Sequence, residues 1–303
     1  MAGGTNYRVF SPEIWSDSLR VYFHEKVYAA KFFMDMSYEL AAQGGETITI
    51  PNLTKGETPS SLTTTTGDIT DPTFTETRVQ LTVDSWIKSS RKFSDFELGR
   101  MKNNYNLQNR YLKEDIAPQL AIAFDKVLIG KDGVAGNLNL HTGTSLVSVN
   151  NTSITECLRI AESFSLPMED MAFFVHPNVY WRQLFRRTQL IDASQAGIKS
   201  IATEEGTLRP LGSLYGKPVF VTTLVGTPLG LAEEGYPVTC RRNLFIHPRS
   251  LIYAYGDTGA GRGTPRLQTM PVANALAKRI IGDLAYGAVC AGPDEGVKLI
   301  TVA

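Results

Sequence analysis

The side chains of this 303-residue chain best suited to hold a metal or act as nucleophiles are four histidines and three cysteines. Their spacing argues against both uses. His24, His141, His176 and His247 show none of the short-range pairings of common zinc motifs. His176 and His247 each end an apolar run and precede a proline, which predicts hydrogen bonding at strand ends. Cys157, Cys240 and Cys290 are odd in number, widely spaced and set among apolar neighbours, so they read as reduced thiols of an intracellular protein. No G-x-S-x-G elbow is present, and Cys157 lies in a predicted helix with no base indicated. The glycine cluster GDTGAGRGTP lacks the G-K-[ST] ending of a phosphate loop and is expected to be a loop or a subunit contact. Gly216 and Lys217 precede Pro218 and belong to a turn entering a strand.

Charged groups offer alternatives rather than a site. Glu204, Glu205, Glu233 and Glu234 fall in polar stretches, where solvated carboxylates are the default. Asp125 stands out within the apolar run AIAFDKVLI; it either pairs with a Lys or Arg or occupies a wet face. Arg186–Arg187 and Arg241–Arg242 have three candidate partners: DNA, a neighbouring subunit's carboxylates, or solvent. No catalytic residue, cofactor site or metal site is expected, and the chain does not read as an enzyme.

Lys and Arg together number 30, as do Asp and Glu, so no net field draws the whole molecule to nucleic acid. With 43% hydrophobic residues the chain can bury one large core or two smaller ones. No stretch resembles a membrane span or a signal peptide, and the expected place of synthesis is the cytoplasm.

The elements around these groups are more informative. In ETITIPNL, Ile48 and Ile50 share one face, and Pro51 points to an edge or bent strand. In FTETRVQLTVDSWI, Val79, Leu81, Val83 and Ile87 share one parity, while Trp86 has the other. The polar tip KGETPSSLTTTTGDITDPT lies between these segments. A two-stranded ribbon of this kind is marginal alone and must rest on its own domain or on a neighbour. Trp86 is expected to cover the far side of the ribbon or fill a pocket between subunits.

Upstream, Ser11 and Pro12 predict the start of an amphipathic helix containing Trp15, Leu19, Tyr22 and Phe23, with a second short helix through Lys26 to Met36. Downstream, SDFELGR through AIAFDKVLIG is mostly helical; Pro118 either follows an Asp115 cap or bends one long helix, and Gly130 is the C-cap. KDGVAGNLNLHTGTSLVSVNN reads as an irregular connection. Ser153 and Glu156 suggest a capping box opening the next helix. The strand MAFFVHP precedes a helix capped by Asn178, with Trp181 expected in the core. A polar loop with Gly197 and Gly206 leads to the strands KPVFVTTL and NLFIHP; SLIYAYG is either helix or strand. The apolar runs after Gly263 are broken by Gly282, Gly287 and Gly292 before a terminal strand KLITV.

This order of elements resembles the major capsid proteins of tailed bacteriophages, the HK97-like fold family, over nearly the whole chain. The resemblance rests on the opening FSPEIWS, ETITIP through RVQLTVDSW as the two sides of an E-loop, the long helix ending at AIAFDKVLIG, ITECLRIAESFSLPMEDMAFFVHPNVYWRQLF, LGSLYGKPVFVTTLVG and AYGAVCAGPDEGVKLITV. It implies an α+β fold with an N-terminal arm and helix (1–45), an E-loop (46–90), a peripheral domain with a spine helix (91–150), an axial domain (151–255), and a return with C-terminal peripheral strands (256–303). It also implies pentamers and hexamers closed into an icosahedral shell around double-stranded DNA, with no sequence-specific binding. The implied partners are portal protein, a separate scaffolding protein and, in some relatives, a decoration protein; no membrane is involved. The implied location is the virion, after assembly in the bacterial cytoplasm. Contacts between subunits are expected at Ile48, Ile50, Lys55, Leu62, Trp86 and Arg262. Some relatives crosslink a lysine to an asparagine; Lys55 sits in the E-loop, but no partner asparagine is assigned. The alternative within the same fold is an encapsulin-like nanocompartment shell.

Overall fold

The computed structural model describes residues 12–43, 47–53, 76–97, 111–130, 132–143, 148–185, 190–192, 201–203, 206–208, 210–225, 240–257, 263–272 and 275–302. Helix α1 (Pro12–Lys26) begins at the expected proline. The second helix expected through Met36 does not form. Phe32 and Phe33 turn into the core, and a two-residue strand β1 (Met34–Asp35) follows. Asp35 then accepts the Ser37 N–H at 2.8 Å, an Asx turn that opens α2 (Ser37–Gln43).

Strands β2 (Thr47–Leu53) and β3 (Glu76–Thr82) pair antiparallel as a two-stranded ribbon, from Thr47 opposite Thr82 to Leu53 opposite Glu76. Pro51 is tolerated there because each strand of such a ribbon has a free edge. The expected single strand through Trp86 is divided at Val83–Asp84, and β4 (Ser85–Ser94) joins a different sheet.

Helix α3 (Ala117–Ile129) continues directly from a π-turn, Leu112–Ile116, without a new cap. Pro118 has no N–H to donate, and the wider turn, closed by Ala117 N–H to Leu112 O, takes it without breaking the helix. Gly130 ends α3 as expected, its N–H donating to Lys126 O at 2.9 Å. Within the stretch expected to be irregular lies strand β5 (Leu140–Gly143).

Helix α4 (Asn151–Ser163) starts earlier than Ser153 suggested. Asn150 is its cap, accepting the Ser153 N–H at 2.7 Å, and the Ser153 hydroxyl accepts the Asn150 N–H at 2.9 Å. After β6 (Ala172–Val175), a helical turn at Pro177–Val179 runs into a π-turn at Tyr180–Leu184. The polar stretch beyond it contains β7 (Leu190–Asp192), β8 (Ile201–Thr203) and β9 (Gly206–Leu208), the last two forming their own hairpin. Strands β10 (Gly212–Leu214) and β11 (Lys217–Val221) close around Tyr215 and Gly216, both with positive φ, 50° and 76°. That is the geometry of a tight two-residue hairpin turn. The remaining strands are β12 (Cys240–Ile246), β13 (Leu251–Tyr255), β14 (Arg266–Pro271), β15 (Ala277–Cys290) and β16 (Gly296–Val302).

Two sheets organise the chain. One has five strands: β15 pairs with β4 along one edge and with β14 and then β13 along the other, and β1 adds parallel to β13. The other has seven, in the order β5-β16-β12-β6-β11-β10-β7. The C-terminal strand therefore joins the seven-stranded sheet, between β5 and β12, and leaves β15 behind in the other.

Helices α1 and α3 cover one face of the five-stranded sheet, where Leu19, Phe23, Ile116, Leu120 and Phe124 are fully buried with Ile280 and Leu284. The same core includes Phe174, Phe220, Leu244 and Ile246 of the seven-stranded sheet. Alternate residues Phe173 and Phe245, stacked with centroids 4.3 Å apart, enter a second core under α4. All three described crossings between the sheets meet at one corner. There Ala291 N–H donates to Ser250 O, His247 N–H to Glu295 O and Asn139 N–H to Pro293 O, at 2.9, 3.2 and 2.8 Å.

Candidate assembly surfaces

The two histidines that precede prolines bond at strand ends, as their setting in the sequence predicts. His176 and His247 cap the turns that follow their strands, each Nδ1 accepting an N–H two residues on, from Asn178 and Arg249, at 3.2 Å. Burial lowers the affinity of both for protons. For His247 the nearby Glu295 and Asp170 carboxylates oppose this shift, and Arg249 adds to it. Cys157 is fully buried and its thiol is pushed up by desolvation; Cys290 is pushed up to about 12, mainly by burial and then by Glu295 and Asp294. All three cysteines are unbridged. Among the described residues no group of three or more His, Cys, Asp or Glu side chains is placed to hold a metal. No described helix is long and apolar enough to cross a membrane.

Asp125 takes a role that sequence reasoning missed. Its carboxylate is 1% exposed and accepts the N–H groups of Tyr28, Ala29 and Ala30 at 2.8, 3.0 and 3.1 Å, tying α3 to the turn after α1. A lone acid in an apolar helical run was the available signal, but its partners lie 95 to 97 residues away. Arg242, considered for DNA or solvent, is buried and donates to Gly130 O at the end of α3.

The ribbon is rooted in its own chain. Ile48 and Leu81 face each other and are 2% and 1% exposed, packed with Leu40 of α2 and with Ile252 and Ala254 of β13. Ile50 packs against the edge of the same cluster. Of the two residues expected at contacts between subunits, Ile48 is buried in this internal core and Ile50 is partly buried at its edge. The chain crosses the five-stranded sheet at Gly287, where a side-chain Cβ would come within 2.3 Å of Thr82 O. Gly282 and Gly287, expected to break the run, lie inside one 14-residue strand and give neighbours room to approach.

The outer face of the five-stranded sheet is consequently divided. Its β13 half lies under α2 and the ribbon root. Its β4–β15–β14 half is open, with exposed Trp86, Lys88 and Lys92 on β4 and Arg279 and Met270 beside them. Trp86 is 55% exposed, and the Arg266 guanidinium lies 5.7 Å from its ring centroid while pairing with Asp283 at 2.8 Å. Trp86 thus stands on the five-stranded sheet beyond the ribbon. A second exposed apolar group, Trp181 and Phe185 with centroids 5.0 Å apart, corrects the expectation that Trp181 is core. The π-turn turns Tyr180 and Leu184 inward and leaves those two rings outside. Lys55, Leu62 and Arg262 lie outside the described residues, as do Arg186, Arg187, Glu204, Glu205, Glu233 and Glu234.

No family model and no curated protein matches the chain. Solved structures do. One from Mycobacterium phage Che8 is 14% identical, with a TM-score of 0.61 and 90% of each chain covered. The capsid of cyanophage P-SCSP1u is 14% identical, TM-score 0.56, covering 85% of this chain and 84% of that one. The capsid of an empty GTA particle is 12% identical, TM-score 0.54, covering 94% and 90%. A two-sheet body with an outlying β-ribbon and two helices laid against the five-stranded sheet is thus the HK97-like fold, shared with these solved structures, two of which are capsids.

Proposed function

We propose that this chain is a major capsid protein, which assembles as pentamers and hexamers into an icosahedral shell around double-stranded phage DNA. The observation that carries the reading is a fold shared with phage capsid structures across most of both chains. The role is structural rather than enzymatic, and the molecule's location is the virion after assembly in the host cytoplasm.

On this reading the five-stranded sheet with α1 and α3 is the peripheral domain and the seven-stranded sheet with α4 is the axial domain. The ribbon is the E-loop, and its distal part, 54–75, reaches a neighbouring copy. The neutral chain needs no basic wall to enclose densely packed DNA. Portal and separate scaffolding proteins complete the assembly, with a decoration protein as a further partner.

Electron microscopy of the purified protein, followed by analysis of particle contents, tests the proposal. Closed icosahedral particles that carry DNA when formed during infection support it. A stable monomer with substrate turnover refutes it, and shells filled with an enzyme cargo replace it with a nanocompartment.

A further inference from the structure

His247 is a buried ring, 4% exposed, at the corner where the chain passes between the two sheets. Charged groups of other segments flank it. Nε2 lies 3.9 Å from the carboxylate of Asp170, in the turn Met168–Asp170 that leads into β6. Nδ1 lies 3.9 Å from the carboxylate of Glu295, at the entry to β16. Arg249, in the turn Pro248–Ser250 that follows the ring, acts on it as a cation. Asp294, beside Glu295, accepts the Asn139 side-chain N–H at 2.8 Å, which ties a further crossing to the same segment.

The Arg249 N–H donates to Nδ1 at 3.2 Å, so this nitrogen carries no proton. In imidazolium both ring nitrogens are donors. Nδ1–H and the Arg249 N–H would then face each other, and the turn must yield before the new donor can reach Glu295. The turn does not move alone. Its last residue, Ser250, is fully buried, and its carbonyl accepts the N–H groups of Ala291 and Gly292 at 2.9 and 3.2 Å. The His247 N–H donates in turn to Glu295 O at 3.2 Å. A proton on one ring therefore acts on both crossings through a continuous series of bonds. We propose that the corner is an acid-released clasp: protonation of His247 frees the turn Pro248–Ser250 from the segment Ala291–Glu295, while each sheet stays paired. The inference concerns the single chain and does not rest on the capsid reading. Release wins over tightening because burial outweighs the attraction of Glu295 and Asp170, and the folded ring holds a proton less readily than a ring in water. The clasp is thus fully stable above pH 6.5 and weakens as pH falls toward the folded value.

Hydrogen exchange of the full chain, read as protection factors at single amides, tests this. Between pH 7.5 and 5, protection at Ala291 and Gly292 is expected to fall by at least about threefold and at most about thirtyfold, the ceiling being a clasped ring that binds no proton. At pH 5 this exchange is expected to be insensitive to low urea, because a local opening exposes little surface. Acceleration by urea in step with Leu244 and Phe245 of β12 would mean that the corner opens only with the whole fold, and overturns the proposal. So does an acid response confined to Arg249. His247→Asn, whose Oδ1 still accepts the Arg249 N–H, is expected to lose the response at Ala291 and Gly292, and its persistence there is equally fatal. Should that variant not fold, Asp170→Asn decides. Removing a carboxylate that helps the buried ring hold a proton is expected to enlarge the response, and an unchanged or smaller one refutes the clasp. Exchange requires neither shells nor DNA, so its failure is distinct from failure of the capsid reading.

Discussion

At the scale of single residues, buried polar groups hold the body together. Asp125 satisfies three backbone donors that would otherwise be buried without acceptors, so Asp125→Ala is expected to lower unfolding free energy by about 3 kcal/mol. Urea titration of the isolated subunit measures this; a change below about 0.5 kcal/mol would show that water replaces the carboxylate. His247 sets a pH limit. Its proton affinity in the folded state lies below the ordinary value of 6.5, chiefly because it is buried, and its neutral Nδ1 accepts from Arg249 N–H. The unfolded chain therefore binds the proton more tightly. The stabilisation is fully present above pH 6.5 and is lost as pH falls toward the folded value. Glu295 and Asp170, each 3.9 Å from the ring, limit the loss. Unfolding free energies from pH 7.5 to 5 are expected to fall less steeply in His247→Asn, which keeps a capping acceptor but does not titrate. His176 retains its own contribution, so the slope is reduced rather than abolished.

At the scale of elements, the ribbon root carries the clearest prediction. Gly287→Ala would place a methyl group against Thr82 O and must displace the root or the strand beneath it. A loss of about 2 kcal/mol is expected, together with faster hydrogen exchange at Val79 to Thr82; unchanged exchange there would refute the crossing. Much at this scale was legible in the sequence: the alternation at Leu81 and Val83 faces one core as read, although Ile87, beyond the break in the strand, packs against another, and Pro12, Gly130 and the Tyr215–Gly216 turn sit where local chemistry put them. What stayed hidden was non-local or too short for a period. Three-residue strands such as β7 and β8 contain one alternation at most. Asn150 and Ser153 both favour caps, and only the hydrogen bonds decide between them. Ile48 has the parity of a dry face, but parity does not say whose core supplies the partner. The outward turn of Trp181 depends on a π-turn that no propensity signals.

At the scale of the whole molecule, cohesion between copies is expected to be noncovalent. Particles heated in denaturing detergent should run as a monomer near 33.3 kDa, and a ladder of resistant multimers would instead point to a crosslink involving the E-loop lysine. The arrangement of the crossings bears on how such copies adapt to one another. With Asn139, Ser250 and Ala291–Glu295 laced together at one corner, the described crossings join the two sheets like covers at one binding, while a shared core including Phe33, Phe174, Leu244 and Ile246, and the Arg242 bond to Gly130 O, lie between them. Tension applied through the ribbon enters beside Gly287, on the five-stranded cover. Copies tugged unequally by their surroundings would then differ chiefly in the opening angle between covers, with each sheet's own pairing left intact.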